Sequence, residues 1–322
     1  MERVRLGSRT YTDPDIISLV RATGSLIDPR SAVLTQARKL VSRLCQFDGV
    51  PHDAIQRLSM MASLLGLKTV PMDLEQQRQQ KRDAVLVPTI SGKRIIIFNP
   101  NRPRSRVAFS IAHEIIHTFF PNSISGARFR SICSSGSKEG NELERLCDLG
   151  ASELLMPIDE FRYAAAGDFS LRTVERLSAT FGSSFEATVF RLASAHTGIA
   201  VAGLVRYRLT VGEEREKNKG NQGLLFVHID PRWGKEAEPK YRRQSLYLSD
   251  ACNNEYMVRW NKSFDRESVV YKAGTFEGIH AANEALPNQV RRIGVLEAIR
   301  APYQREDAHP EFPDVLFFWS IQ

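Results

Sequence analysis

The segment His113-Glu114-Ile115-Ile116-His117 sets two imidazoles four residues apart with a carboxylate beside the first. On a helix of 3.6 residues per turn the two rings share one face, one turn apart. Two neutral ring nitrogens so placed can bind one tetrahedral Zn²⁺, and the adjacent carboxylate is near enough to handle a proton.

This chemistry needs a helix under the histidines. Apolar residues recur at three- and four-residue intervals from Val107 through Ile111, Ile115, Ile116 and Phe120, which predicts a helix that Pro121 stops. Upstream, Ala84 to Ile90 and Arg94 to Phe98 are β-rich runs separated by Ser91-Gly92-Lys93, the pattern of a hairpin. Catalytic zinc usually has three protein ligands and an open position. A second predicted helix, from Asn141 through Glu144, Cys147, Asp148 and Ala151 to Leu154-Leu155-Met156-Pro157, offers the third. Glu144 and Asp148 stand one turn apart, so one can bind metal while the other orients a ligating histidine. Glu139 and Glu142 read as an ordinary acidic helix start.

Phe109 to His117, followed by Glu144, Ala151 and Leu154-Leu155-Met156-Pro157, resembles the ImmA/IrrE family of metallopeptidases. There the two-histidine helix is followed by a helix patterned Glu-x-x-Ala-Asn-x-Phe-Ala-x-x-Leu-Leu-Met-Pro. Glu144, ten residues before Leu154, falls at the family's third metal ligand, while Cys147, Asp148 and Gly150 stand where the family favours Ala, Asn and Phe. The resemblance covers about residues 31 to 200, including predicted helices Ala32 to Cys45, Ala54 to Leu65, Ser170 to Phe181 and Ser184 to Ala195.

The resemblance implies a zinc-dependent endopeptidase. His113, His117 and Glu144 would be metal ligands, Glu114 the general base and acid, and Asp148 the residue that orients a histidine. A tetrahedral intermediate also needs a donor for its oxyanion. Tyr163 and His196 are the two candidates, although each residue type more often packs or faces solvent. Family members are typically regulatory proteases, several of which cut helix-turn-helix repressors. The expected partner is therefore a DNA-binding repressor, cleaved to derepress mobile-element or stress genes. The alternative is a non-cleaving, antitoxin-like binding module that keeps the zinc fold.

Composition sets the remaining bounds. The chain has 322 residues, 42% hydrophobic and 25% charged, which suits a soluble globular protein of two domains. No apolar run approaches a membrane span and the first thirty residues lack a signal peptide's apolar core, so a cytoplasmic protein without membrane contact is expected. Cys45, Cys133, Cys147 and Cys252 show no paired metal spacing and read as reduced thiols. Cys133 and Cys147 as rival zinc ligands are the lesser alternative, because thiolates typically build closed structural sites.

Charge is uneven. Residues 1 to 110 carry 18 Lys and Arg against 9 Asp and Glu (+9), residues 111 to 200 carry −3, and residues 201 to 322 carry +1. Arg102, Arg104 and Arg106 suit nucleic acid or an acidic substrate, but a solvated face is the plainer reading. The helix pair Val174 to Gly182 and Ser184 to Ala195 has helix-turn-helix spacing. Its second helix carries Arg191 as its one cation, too little for phosphate contacts, so direct nucleic-acid binding is not expected.

The expected fold class is α+β: a mainly helical, zincin-like metalloprotease core with a small β-sheet, then a sheet-rich C-terminal domain. The boundaries read 1 to 30, an N-terminal arm with a short helix at Ile16 to Val20; 31 to 198, the peptidase domain; and 199 to 322, a β-rich sensor or substrate-selection domain. Within the last, Ile199 to Val211, Leu224 to Ile229, Gln244 to Leu248, Tyr256 to Trp260, Ser268 to Lys272 and Val315 to Ser320 favour strands, and Gly212 to Gly223 a charged loop. Trp233, Trp260 and Trp319 all fall there, with core packing the default reading over a ligand pocket.

Overall fold

A computed structural model describes residues 4–6, 9–11, 13–22, 28–74, 83–89, 93–120, 138–220, 238–252, 254–287, 292–303, 305 and 309–321. The expected strand Leu224 to Ile229, Cys133 and Trp233 lie outside these residues. The chain is α+β and divides into two compact units. The first comprises 1–163 and 178–184; the second comprises 164–177 and 185–322.

The first unit opens with a short hairpin, β1 (Val4–Leu6) and β2 (Arg9–Tyr11), and helix α1 (Pro14–Ala22), which buries Ile16, Ile17, Leu19 and Val20 and packs on α2 (Pro29–Leu44). Pro29 sits in the first turn of α2, where its missing N–H costs nothing. Helix α3 (Ala54–Leu64) is capped by Asp53, whose side chain accepts from Gln56 N–H at 3.0 Å. It ends at Gly66, whose φ of 73° lets Leu67 N–H return to Ala62 O. The chain then enters a three-stranded sheet in which β5 (Arg94–Phe98) is central, parallel to β3 (Lys68–Pro71) and antiparallel to β4 (Ala84–Pro88).

Helix α4 (Arg104–His117) follows, and its origin is pinned by charge: Arg102 and Arg106 pair with Asp83, and Arg104 with Asp53. Arg104 and Arg106 remain largely exposed while making these pairs, as a solvated face predicts, and Arg102 is mostly covered. The helix ends at His117, three residues before Phe120. Thr118 Oγ1 donates to Ile115 O at 2.7 Å and Phe119 N–H to Ile116 O, satisfying the final carbonyls in a tighter turn. One face of α4 buries Val107, Ala108, Ile111, Ala112, Ile115 and Ile116, and α5 (Lys138–Leu155) packs against it. A Cβ at Gly150 would sit 2.7 Å from Ile116 and 2.8 Å from Val33, so only glycine lets α5 approach both α4 and α2 this closely. Pro157 then separates α5 from α6 (Ile158–Ala165), and Leu155 O, exposed by the stop, accepts from Arg57 at 3.0 Å.

A 3₁₀ turn (Leu171–Thr173), α7 (Val174–Phe181) and α8 (Phe185–Ala195) precede the five-stranded antiparallel sheet of the second unit. Its strands are β6 (Ala200–Arg208), β7 (Lys240–Leu248), β8 (His280–Ala285), β9 (Ile293–Arg300) and β10 (Val315–Ser320), in the order β7-β6-β10-β9-β8. One face buries Val205, Tyr241, Leu296, Phe317 and Trp319 with Val269, Val270 and Ala273. Helix α8 packs on β6, β7 and β10, with Phe190 stacked on Tyr247.

Three expectations for this unit are corrected. Residues 211–220 form a helix, because Thr210 and Glu213 build a capping box: Glu213 N–H donates to Thr210 Oγ1 and Thr210 N–H to the Glu213 carboxylate. Ser268 to Lys272 opens a helix, Val269–Thr275, despite its β-branched pair. Ser268 caps it, and Glu284 accepts from both Ser268 Oγ and Val269 N–H. Tyr256 to Trp260 is a 3₁₀ turn and irregular chain, with Trp260 54% exposed and the Arg243 guanidinium 4.2 Å over its ring. Strands β8 and β9 were not expected. Trp319 is fully buried, as core packing predicts.

Candidate metal centre

Helix α4 supplies His113, Glu114 and His117; α5 supplies Glu144, Cys147 and Asp148, which share a face because they lie at intervals of three and four. The two faces meet. His113 Nε2 lies 3.0 Å from His117 Nε2 and 3.1 Å from Glu144 Oε2, and His117 Nε2 lies 3.8 Å from the same oxygen. Three ligand atoms each about 2.0–2.1 Å from one tetrahedral zinc stand about 3.4 Å apart, so this triangle fits the ion without a change of fold.

Each ring is also held from behind. His113 Nδ1 is 2.9 Å from Asp148 Oδ1, and His117 Nδ1 is 3.5 Å from Cys147 Sγ. Such contacts at the outer nitrogen fix the tautomer that leaves Nε2 available to metal. Asp148 thus lies within hydrogen-bond distance of the His113 nitrogen that faces away from Glu144. Cys147 in a comparable place on His117 was missed. Its signal was present, since it lies three residues beyond Glu144 and next to Asp148.

His113, His117 and Cys147 can also be grouped as a three-ligand set, their candidate atoms all within 4.8 Å of one another. The two sets share both histidines and differ in which side of His117 the third group approaches. Cys147 approaches the Nδ1 side of His117, whereas the two Nε2 atoms and Glu144 converge on the opposite side.

The electrostatics match a cation site. Burial opposes a charged His113, yet hydrogen bonds with Asp148 and Glu144, together with the negative charge of Glu114, raise its pKa to about 10. A proton there stands where the charge of a divalent ion would serve. Glu114 is positioned by the small sheet, its Oε2 accepting from Leu86 N–H of β4 at 3.0 Å.

The two oxyanion candidates have different surroundings. Tyr163 is 89% exposed and makes no hydrogen bond with these residues. His196 belongs to the second unit, where its Nδ1 accepts from Gly198 N–H and its ring packs on Phe169 and Phe318.

A helix bearing two histidines and a carboxylate, faced by a helix bearing a third ligand group, is the arrangement of a metallopeptidase-type site. Residues 62–193 match the family model for the IrrE N-terminal-like domain of peptidase family M78. This segment, which contains all of α4 and α5, belongs to the ImmA/IrrE family. A solved structure described as a Mycobacterium tuberculosis transcriptional regulator is similar over 97% of this chain and 81% of that one, with a TM-score of 0.56 at 15% identity. At that identity the likeness shows the fold. No curated protein matches the chain. No described helix is long and apolar enough to cross a membrane.

Proposed function

We propose that this chain is a zinc-dependent endopeptidase and that its first unit is a zincin-like core. The observation carrying this reading is the convergence of His113 Nε2, His117 Nε2 and Glu144 Oε2 at 3.0 to 3.8 Å. His113, His117 and Glu144 would hold the ion, with Asp148 and Cys147 keeping the rings turned toward it.

Bound Zn²⁺ would supply a water acidified toward pKa ~7 and polarise the scissile carbonyl. Glu114 would act as the general base, taking up the proton released when a water attacks the scissile carbonyl carbon. The same carboxyl then delivers the proton to the amide nitrogen, so the C–N bond breaks to a neutral amine. The Leu86 N–H bond aims this carboxylate. Tyr163, which belongs to the same unit, remains the candidate for contacting the oxyanion.

The substrate we read as a DNA-binding repressor of helix-turn-helix type, cut in an exposed loop or linker. Family resemblance supports it, and the regulator with a similar fold is compatible with a role in gene control. In this reading the second unit senses a signal or selects the substrate.

The test is incubation of the purified chain with a repressor encoded beside its gene, with and without chelator, read by mass spectrometry of the products. Chelator-sensitive fragments support the enzyme. Glu114→Gln should retain its zinc and lose cleavage by about 10²- to 10⁴-fold. A stable complex without fragments would instead favour the binding-module reading.

A further inference from the structure

The second unit contains a cavity of about 270 Å³, near the lower limit for small-molecule sites. Its floor is one face of the sheet. Glu297 on β9 pairs with Phe318 on β10, and Val295 with Ser320, so all four point the same way, opposite to the apolar face holding Leu296, Phe317 and Trp319. The loop Gly167 to Ser170 and His196, just past the end of α8, complete the lining.

Packing alone does not account for these side chains. Glu297 is 8% exposed at a strand position flanked by buried apolar residues. Among the described residues its one hydrogen-bond donor is Leu171 N–H, at 2.6 Å. Burial pushes its carboxyl pKa up against the effect of that bond and of the Arg172 charge, and nearby Asp168 raises it further. Ser170 Oγ is buried and makes no hydrogen bond among the described residues. Both groups border the same space, and a buried hydroxyl without a partner, or a buried carboxylate with a single donor and no counter-ion in the lining, is costly.

We infer that this cavity binds a small organic cation, an ammonium or amidinium carried on a short apolar or aromatic body. A positive head group would sit against Glu297 and the rim carboxylate of Asp168, with Ser170 Oγ accepting one of its N–H bonds. Phe169, Phe318 and His196 would enclose the body. The His196 ring stands edge-on to Phe169 at 5.4 Å and tilted to Phe318 at 6.2 Å, so the walls are aromatic on several sides. Two carboxylates exclude an anion. A bare metal ion fits poorly, because His196 Nδ1 already accepts from Gly198 N–H, leaving its neutral ring with a donor at Nε2.

The inference is independent of peptidase activity. Isothermal titration of the full chain with benzylamine and benzamidine, against neutral benzyl alcohol and benzamide, provides the test. The cations should bind, and their neutral counterparts about tenfold or more weakly. Glu297→Gln keeps an acceptor for Leu171 N–H and should fold, yet lose cation binding by about tenfold or more. Asp168→Asn at the exposed rim should weaken it severalfold while leaving thermal unfolding unchanged. Failure of both cations to bind, equal binding of neutral and charged probes, or undiminished binding by a folded Glu297→Gln variant would each overturn the proposal.

Discussion

At the junction of α4 and α5, carboxylates bond directly to imidazole nitrogens: Glu144 and Asp148 engage the two edges of His113. In the second unit Glu297 and His196 line one cavity, yet each is hydrogen-bonded to backbone, Glu297 to Leu171 N–H and His196 to Gly198 N–H. The first arrangement concentrates negative charge around two nitrogens that point inward, and a histidine proton is held tightly there. The second leaves an acid without a counter-ion in its lining and drives its pKa upward through burial. On the two readings proposed above, the same two residue types would hold a metal ion in one region and a larger organic cation in the other. What separates them is whether the imidazole acceptor has already been taken by the backbone.

Removing a ligand from the first site should have the largest effect. His117→Ala deletes one corner of the triangle, and dialysed protein should fall from stoichiometric to substoichiometric zinc by atomic absorption. Full retention would mean that zinc binds through another set of groups. The helix contact beneath the site should be nearly as unforgiving. Gly150→Leu forces side-chain atoms into space held by Ile116 and Val33, and should lower stability by about 1–3 kcal/mol or more in urea unfolding. An unchanged midpoint would contradict the close approach of α4 and α5.

Residues behind the rings come next. Asp148→Asn should weaken zinc binding by about 10- to 100-fold, since it removes the charge but not the shape that orients His113. Cys147→Ala should cost less, at most about tenfold, because its 3.5 Å contact with His117 Nδ1 is a weak one. Cobalt-substituted protein distinguishes orienting thiol from ligand. If Cys147 binds metal, the parent protein shows thiolate charge-transfer absorption that the variant lacks; if it orients His117, neither shows it.

The legibility of the two regions differs for related reasons. His113, Glu114 and His117 are joined by helix geometry over four residues, so their shared chemistry is local and survives without knowledge of the fold. Glu144 needed the family pattern, because a second helix must be docked to bring it near. Cys147 depends on the same docking, which Gly150 permits, and its side chain alone names no partner. Glu297 is further removed: β9 begins Ile-Gly and carries a glutamate where alternation alone does not announce a buried face, so the strand itself was missed. The helix at 211–220 was different, since Thr210 and Glu213 form a capping box visible in the sequence that the dense charge following it obscured.

The smallest effect should appear as pH dependence in the second unit. The folded chain holds the Glu297 proton more tightly than an unfolded chain does, because burial raises its pKa above the ordinary 4.5. Folding therefore favours proton uptake between the ordinary and raised values, and this contribution to stability declines as pH rises through that window. Above the raised value the parent bears the full cost of an ionised, buried acid. Glu297→Gln has no proton to lose, so its advantage over the parent should grow across the window and then level off. Urea unfolding at a series of pH values, followed by near-ultraviolet circular dichroism, measures the difference. Parallel curves would mean that the Leu171 N–H bond and the Arg172 charge already compensate burial, and the distinction from the α4–α5 site would then rest on geometry alone.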